Sequence, residues 1–377
     1  MYMFLLGLFT LVFLGAIFYV ILKVLKKYEK KNWKYELASA VIVVSFFKWA
    51  FLDITRVPTG SMEKTLLPGD FVIISKLHYG PRTPSTLLQI PLTHQKTKFL
   101  ELKSYLDWIQ IPFFRFPGFT CIKRNDAVVF NTPSDNNMPL DVRTFYVKRC
   151  IGLPGEYIKM IDGNYYVNGA KIENAPNKMY RFLVKSNQRL SKNFLKKFNI
   201  EEFENVGENL YIVNILNKYD IKKTVEKLID SEYIENVKIL SQDTGSPAII
   251  EKFDGYIDVV NWGGDNGILI PKKGLELELS KENIIRYGEY IIEECGKKNI
   301  KIVNDEVFIK GKKVTKYTFK HDYYFMIGDN IYNSWDSRFW GFVRDDAIYA
   351  KPLLVLFSKS QESLLGGLKL RFLKTMW

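Results

Sequence analysis

Three short segments of this 377-residue chain carry side chains that can do chemistry. In the first, Val57-Pro58-Thr59-Gly60-Ser61-Met62, Pro58 and Gly60 shape a loop able to present the Ser61 hydroxyl, and Leu66-Leu67-Pro68-Gly69-Asp70 follows closely. Alone this is a weak signal, because most serines in such loops are turn residues. The second segment runs from Tyr146-Val147-Lys148-Arg149-Cys150-Ile151 to Gly152-Leu153-Pro154-Gly155-Glu156. Read as a strand, it sets Tyr146, Lys148 and Cys150 on one face and Val147, Arg149 and Ile151 on the other. Lys148 then has largely apolar neighbours. Desolvation there lowers an amine's pKa and leaves a neutral base near neutral pH. The third segment, Gly328-Asp329-Asn330-Ile331-Tyr332-Asn333-Ser334-Trp335-Asp336-Ser337-Arg338-Phe339-Trp340-Gly341, is dense in polar turn residues and aromatics. It reads as a structured loop in which Asp336 and Arg338 can pair.

Other chemistries have little material. The three cysteines, Cys121, Cys150 and Cys295, are too scattered for a disulfide framework or a Cys-x-x-Cys metal site. His78, His94 and His321 have no ligand spacing. The reading therefore calls for no metal and no cofactor. A net charge of +13 raises nucleic acid as a partner, but the lysines lie in patches broken by Asn, Ile and Glu without a nucleic-acid-binding motif. No nucleic acid is expected, and the basic surface can face an anionic membrane.

The elements that must position these segments begin with two apolar runs. Residues 2–22 carry no charge, and about 20 residues at ~1.5 Å each cross a hydrocarbon core of roughly 30 Å. Lys23, Lys26, Lys27, Lys30, Lys31 and Lys34 follow, against Glu29 and Glu36. A second apolar run, 37–54, is broken by Lys48 and Asp53. Placing the lysine-rich stretch in the cytoplasm puts everything after about residue 56 outside. The expected division is a transmembrane helix (1–22), a basic cytoplasmic loop (23–36), a second transmembrane helix (37–54), an external domain (55–360) and a basic amphipathic tail (361–377). The tail, with Lys369, Arg371 and Lys374, reads equally as a lipid contact or a terminal strand.

In the external domain, β-branched and aromatic runs at 71–75, 127–130, 144–151, 157–160, 165–167, 300–309 and 323–327 read as strands. Asp162-Gly163 and Asn168-Gly169 read as tight turns. Residues 181–240, rich in Lys, Glu, Leu and Ile, read as helices or an elaborated cap. The domain is thus mainly β with an α-containing inserted region at about 175–300.

Together these segments resemble the bacterial type I signal peptidase (leader peptidase) family. The resemblance spans the two N-terminal helices, the serine loop, Arg124-Asn125-Asp126-Ala127-Val128-Val129-Phe130, the lysine strand and the Gly-Asp-Asn segment. Tyr79-Gly80-Pro81-Arg82-Thr83-Pro84 and the stretch through Gly118 resemble the elaborated Bacteroidetes version. The implied fold is a signal-peptidase-like antiparallel β fold behind two transmembrane helices. The implied activity is a membrane-bound serine endopeptidase that removes signal peptides from preproteins with small residues at P1 and P3. By resemblance Ser61 is the nucleophile and Lys148 the general base, and Ser334 orients the lysine. The Ser61 N–H and the Thr59 hydroxyl form the oxyanion hole, and Asp336 and Arg338 are a supporting pair. Val57, Met62, Leu66, Tyr146 and Val147 match the substrate pockets. The implied location is the cytoplasmic membrane, multi-pass, with the catalytic domain on the outer, periplasmic face. Departures fall at Lys64, where the family commonly has Pro, at Asn125, where it has Gly, and at Ile331-Tyr332, where it has Arg and a polar residue.

Two other readings compete. Ser61-Met62-Glu63-Lys64 matches the S-x-x-K of penicillin-binding proteins, and Ser134-Asp135-Asn136 supplies S-D-N. Against it, no Lys-Thr-Gly occurs, and Pro68-Gly69 interrupts the long helix that S-x-x-K must open. The other is an inactive membrane scaffold of the same fold, disfavoured because Ser61, Lys148 and Ser334 are all present.

Overall fold

The computed structural model describes residues 2–27, 33–89, 95, 103–134, 138–200, 202–239, 263–359, 368–369 and 374–375. The chain divides into two units. The first comprises Met1–Thr59, Leu66–Cys150 and Asp346–Trp377, and the second Gly60–Thr65 and Ile151–Asp345. The described architecture is mostly β.

The first unit opens with helices α1 (Tyr2–Lys27) and α2 (Trp33–Ala50). Over Met3–Lys26 the mean hydropathy reaches 2.6, and α1 is the one helix among the described residues long and apolar enough to cross a membrane. It runs past Leu22 through Lys23, Lys26 and Lys27. Lysine is a good helix former, so the charges end the apolar run without ending the helix. The second apolar run is not helical to residue 54. It stops at Ala50, because Ile54 and Thr55 enter strand β1 (Leu52–Arg56) opposite Ile73 and Val72. The helices touch through Phe18 and Phe46, whose rings stack at 5.7 Å.

Strands β2 (Asp70–Ser75), β5 (Ala127–Asn131) and β6 (Phe145–Gly152) complete an antiparallel sheet with the long strand Ile348–Lys359, in the order β1, β2, long strand, β5, β6. A register shift lies where Pro352 faces Ile74, a place where the missing proline N–H is tolerated. Strands β3 (Thr86–Gln89) and β4 (Tyr105–Gln110) pair beside it. Most of the tail lies outside the described residues, but Leu368–Lys369 and Lys374–Thr375 pair with the long strand.

The second unit starts with a meander, β7 (Tyr157–Ile161), β8 (Asn164–Val167) and β9 (Ala170–Lys171). Its turns are Asp162-Gly163 and Asn168-Gly169, with all four residues at positive φ, as two-residue hairpins require. The stretch 181–240, read as helices or an elaborated cap, is largely a sheet with two short helices as far as it is described. Strands β10 (Met179–Ser186), β11 (Glu202–Gly207), β12 (Leu210–Leu216) and β13 (Ile234–Ile239) stand in the order β11, β12, β10, β13. The helical reading weighed Lys and Glu content over periodicity. Tyr180, Phe182 and Val184 alternate inward on β10, as do Tyr211, Val213 and Ile215 on β12. Helices α3 (Lys192–Lys196) and α4 (Ile221–Ile229) are short, and Asp220 caps α4 by accepting the Lys223 N–H. Helix α5 (Lys281–Cys295) buries Ile284, Tyr287 and Ile291 in a second core with Phe325, Ile327 and Phe342. The run 300–309 is two strands, Ile300–Val303 and Glu306–Ile309, turning at Asn304-Asp305 with both residues at positive φ.

Candidate active site

In the first unit, Lys148 lies mid-strand on β6 opposite Val128 of β5. It is 3% exposed, and Cys150 and Val128 are fully buried. Strand alternation is thus realised. Tyr146, two residues before, places its ring 5.6 Å from the Lys148 Nζ. The strand is fastened at its far end, where the Asn125 N–H donates to the Cys150 carbonyl and Arg149 Nη1 donates to the Asn125 carbonyl (2.8 and 2.6 Å). The neck of the serine loop is closed by Val57 N–H to the Asp70 carbonyl and Gly69 N–H to the Val57 carbonyl, both 2.8 Å. Val57 and Leu66 are buried, Thr59 is exposed, and Tyr146 and Val147 are half-buried.

In the second unit, Gly60–Met62 forms a single 3-10 turn with Ser61 and Met62 buried. Its partner is the Gly-Asp-Asn segment. The Asn330 N–H donates to the Ser61 carbonyl (3.1 Å) and Asn330 Nδ2 to Glu63 Oε2 (3.1 Å). The Thr65 hydroxyl donates to Asp329 Oδ2 at 2.5 Å. Gly328 has no room for a side chain: a Cβ there would lie 2.2 Å from Ser334 Oγ and 2.5 Å from the Ser61 carbonyl oxygen. Beneath this loop, Asp336 and Arg338 are completely buried and form the expected pair. Arg338 Nε and Nη2 donate to the two carboxylate oxygens at 2.8 Å each, and Asp336 Oδ2 also accepts the Gly328 N–H (3.1 Å). Burial opposes the Arg338 charge, but the Asp336 carboxylate outweighs it and holds the guanidinium above its ordinary pKa. Ser334 Oγ is buried and makes no hydrogen bond among the described residues.

Sequence reasoning picked out Ser61, Lys148, Ser334, Asp336 and Arg338. The Gly-Asp-Asn segment was named as well, but not its contacts with Thr65 and Glu63, which join segments more than 260 residues apart. The third segment signalled its side of these contacts by its density of turn residues, and Thr65 carried no signal. Asp135 and Asn136, of the alternative S-D-N motif, lie outside the described residues.

The family model for "Signal peptidase, peptidase S26" matches residues 30–218 and 286–357, ranges that enclose all three chemical segments. The chain belongs to the signal peptidase family, peptidase S26. It is a serine endopeptidase by that membership. Signal peptidase I of Rickettsia canadensis is 34% identical over 148 residues, covering 39% of this chain and 46% of that protein. Signal peptidase I of Buchnera aphidicola from Schizaphis graminum is 25% identical over 327 residues, 84% of this chain and 72% of that protein. The Acyrthosiphon pisum counterpart is 26% identical over 344 residues, 88% and 79%. The family match pauses between 218 and 286, inside the region read as inserted.

The departures from the family pattern have local explanations. Asn125 has φ +67°, a left-handed conformation that glycine adopts freely and asparagine tolerates. Lys64 has φ +72°, which proline's ring forbids, so this loop takes its own path there. Ile331 and Tyr332 belong to the second unit's core, with Tyr332 under the Arg181 guanidinium at 5.2 Å. An apolar pair therefore suits that burial.

Proposed function

We propose that this family member removes signal peptides from secreted preproteins, with Ser61 as nucleophile and Lys148 as general base. The family match over 30–218 and 286–357 carries this reading. In the proposed reaction the neutral Lys148 amine takes the Ser61 proton as Oγ attacks the scissile carbonyl. The ammonium then gives that proton to the leaving amine, and the restored amine activates the water that hydrolyses the ester. The Ser61 N–H and the Thr59 hydroxyl hold the oxyanion. The burial of Lys148 beside Cys150 and Val128 supports its role, since such surroundings favour the neutral amine. In this reading the Ser334 hydroxyl orients the lysine, as the family resemblance implies. Asp336 and Arg338 act through the loop they brace. Val57, Met62, Leu66, Tyr146 and Val147 line shallow pockets for small P1 and P3 side chains.

Both helices span the cytoplasmic membrane in this reading, with the basic loop inside and the catalytic domain on the outer face. The charges of α2 support it, because Lys34, Glu36 and Lys48 all lie toward its two ends. Lys48, 42% exposed on its side chain, pairs with Asp53 at 3.3 Å and can reach the headgroups. The test is cleavage of a preprotein with an Ala-x-Ala site by wild type, Ser61→Ala, Lys148→Ala and Lys64→Ala. Abolition in the first two variants and activity that is at most partly reduced in the third is expected. Activity lost with Lys64 and kept without Lys148 would reject the assignment in favour of the S-x-x-K reading.

A further inference from the structure

The nucleophile loop is held by more than the Gly-Asp-Asn segment. The sheet β10–β13 also reaches it, at two separate places. Asn177, two residues before β10, donates from Nδ2 to the Thr65 hydroxyl oxygen (3.2 Å), which itself donates to Asp329 Oδ2. The Met179 N–H donates to the Asp329 carbonyl at 3.0 Å. At the second place Glu202, the first residue of β11, pairs with the Lys64 ammonium. Lys64 occupies a left-handed conformation that lysine seldom adopts.

This sheet is a firm support, not a loose cover. It has its own core of Tyr180, Phe182, Val184, Leu195, Tyr211 and Val213. Its root is also anchored: the fully buried Lys178 Nζ donates to the Gly163 carbonyl and to Asn174 Oδ1 (3.2 Å), and lies 3.3 Å from the centre of the Tyr165 ring. Asn217 closes the root, with its N–H to the Lys178 carbonyl (2.8 Å) and its Nδ2 to the Asn174 carbonyl (3.0 Å). A hydroxyl that must meet a carbonyl carbon in line gains from such bracing, because rate depends steeply on position.

We propose that β10–β13 is a positioning element for the catalytic serine, acting through Asn177 on Thr65 and through Glu202 on Lys64. The proposal rests on the reading of Ser61 as nucleophile. Asn177 and Glu202 each act through a loop residue.

The test measures kcat, KM and melting temperature for full-length, detergent-solubilised wild type, Ser61→Ala, Asn177→Ala, Lys64→Glu and the swap Lys64→Glu/Glu202→Lys. Asn177→Ala and Lys64→Glu are expected to lower kcat about tenfold, with KM and melting temperature nearly unchanged. The swap is expected to recover most of the kcat lost in Lys64→Glu. If Ser61→Ala is inactive while both single variants keep wild-type kcat, or if the swap restores nothing, the positioning role is overturned and the nucleophile stands. A fall in kcat matched by a large fall in melting temperature would also overturn it, since support of the fold alone would explain the loss. If Ser61→Ala cleaves at the wild-type rate, the nucleophile assignment fails, and the positioning proposal with it.

Discussion

Gly328→Ala crowds the serine loop by an amount that the geometry bounds. The added Cβ would stand 2.5 Å from the Ser61 carbonyl oxygen and 2.2 Å from Ser334 Oγ, whereas ordinary contact begins near 3.4 Å. The Ser334 hydroxyl can turn aside, but Ser334 Cβ, 2.6 Å away, cannot, so the backbone of Ser334 must shift as well. The Ser61 carbonyl is backbone, already receiving the Asn330 N–H, and must retreat by about 0.9 Å, the difference between 3.4 and 2.5 Å. A misplacement of roughly 1 Å at a reacting centre costs about 10²-fold in rate, or ~2.7 kcal/mol of barrier. The strain also lowers stability by about 1–3 kcal/mol. The assay is single-turnover cleavage of a preprotein in detergent, beside a urea unfolding curve for each protein. A variant that is folded and cleaves within threefold of wild type would refute the claim that this contact fixes the Ser61 peptide.

Further outcomes follow from the same structure. Asp336→Ala leaves the Arg338 guanidinium buried without its carboxylate, and should cost about 3–5 kcal/mol in urea unfolding; a loss under about 1 kcal/mol would deny that the pair braces the loop. Lys76 is held at a pKa of about 7 by burial, against the ordinary 10.5, with the nearby Asp53 charge opposing the shift. The native state then binds fewer protons than the unfolded chain between those values. Stability should rise with pH from about 7 towards 10.5, by at most ~1.4 kcal/mol per pH unit, and stay flat below 7. Lys76→Met should lack that slope in urea curves at pH 6, 8 and 10, and parallel profiles would contradict the assignment. At the left-handed Asn125, Asn125→Gly should be nearly neutral and Asn125→Ala should cost about 1 kcal/mol more, read from melting curves; equal costs would remove backbone conformation as the reason for glycine there.

What was legible in the sequence was local. Lys148 between Tyr146 and Cys150 follows from the period-two geometry of a strand, and Asp162-Gly163 names its own turn. Asn304-Asp305 turns as tightly but has no glycine, so 300–309 read as one strand. The β10 sheet was hidden by its exposed Lys and Glu residues, although Tyr180, Phe182 and Val184 alternate inward. The end of α2 was misplaced because Ile54 is apolar enough for a helix, and its strand partner, Ile73, lies far along the chain. The contacts that hold the serine loop were beyond reach for the same reason. Thr65 and Asp329 are ordinary residues until folding brings them to 2.5 Å.

The central claim is that Ser61 forms the covalent intermediate. Acid-quenching a single turnover of wild type with a preprotein and mapping the adduct by mass spectrometry tests it directly. The expected result is a signal-peptide ester on the fragment containing Ser61, absent in Ser61→Ala and Lys148→Ala. An ester on another residue, or product formed at the wild-type rate by Ser61→Ala, would contradict it.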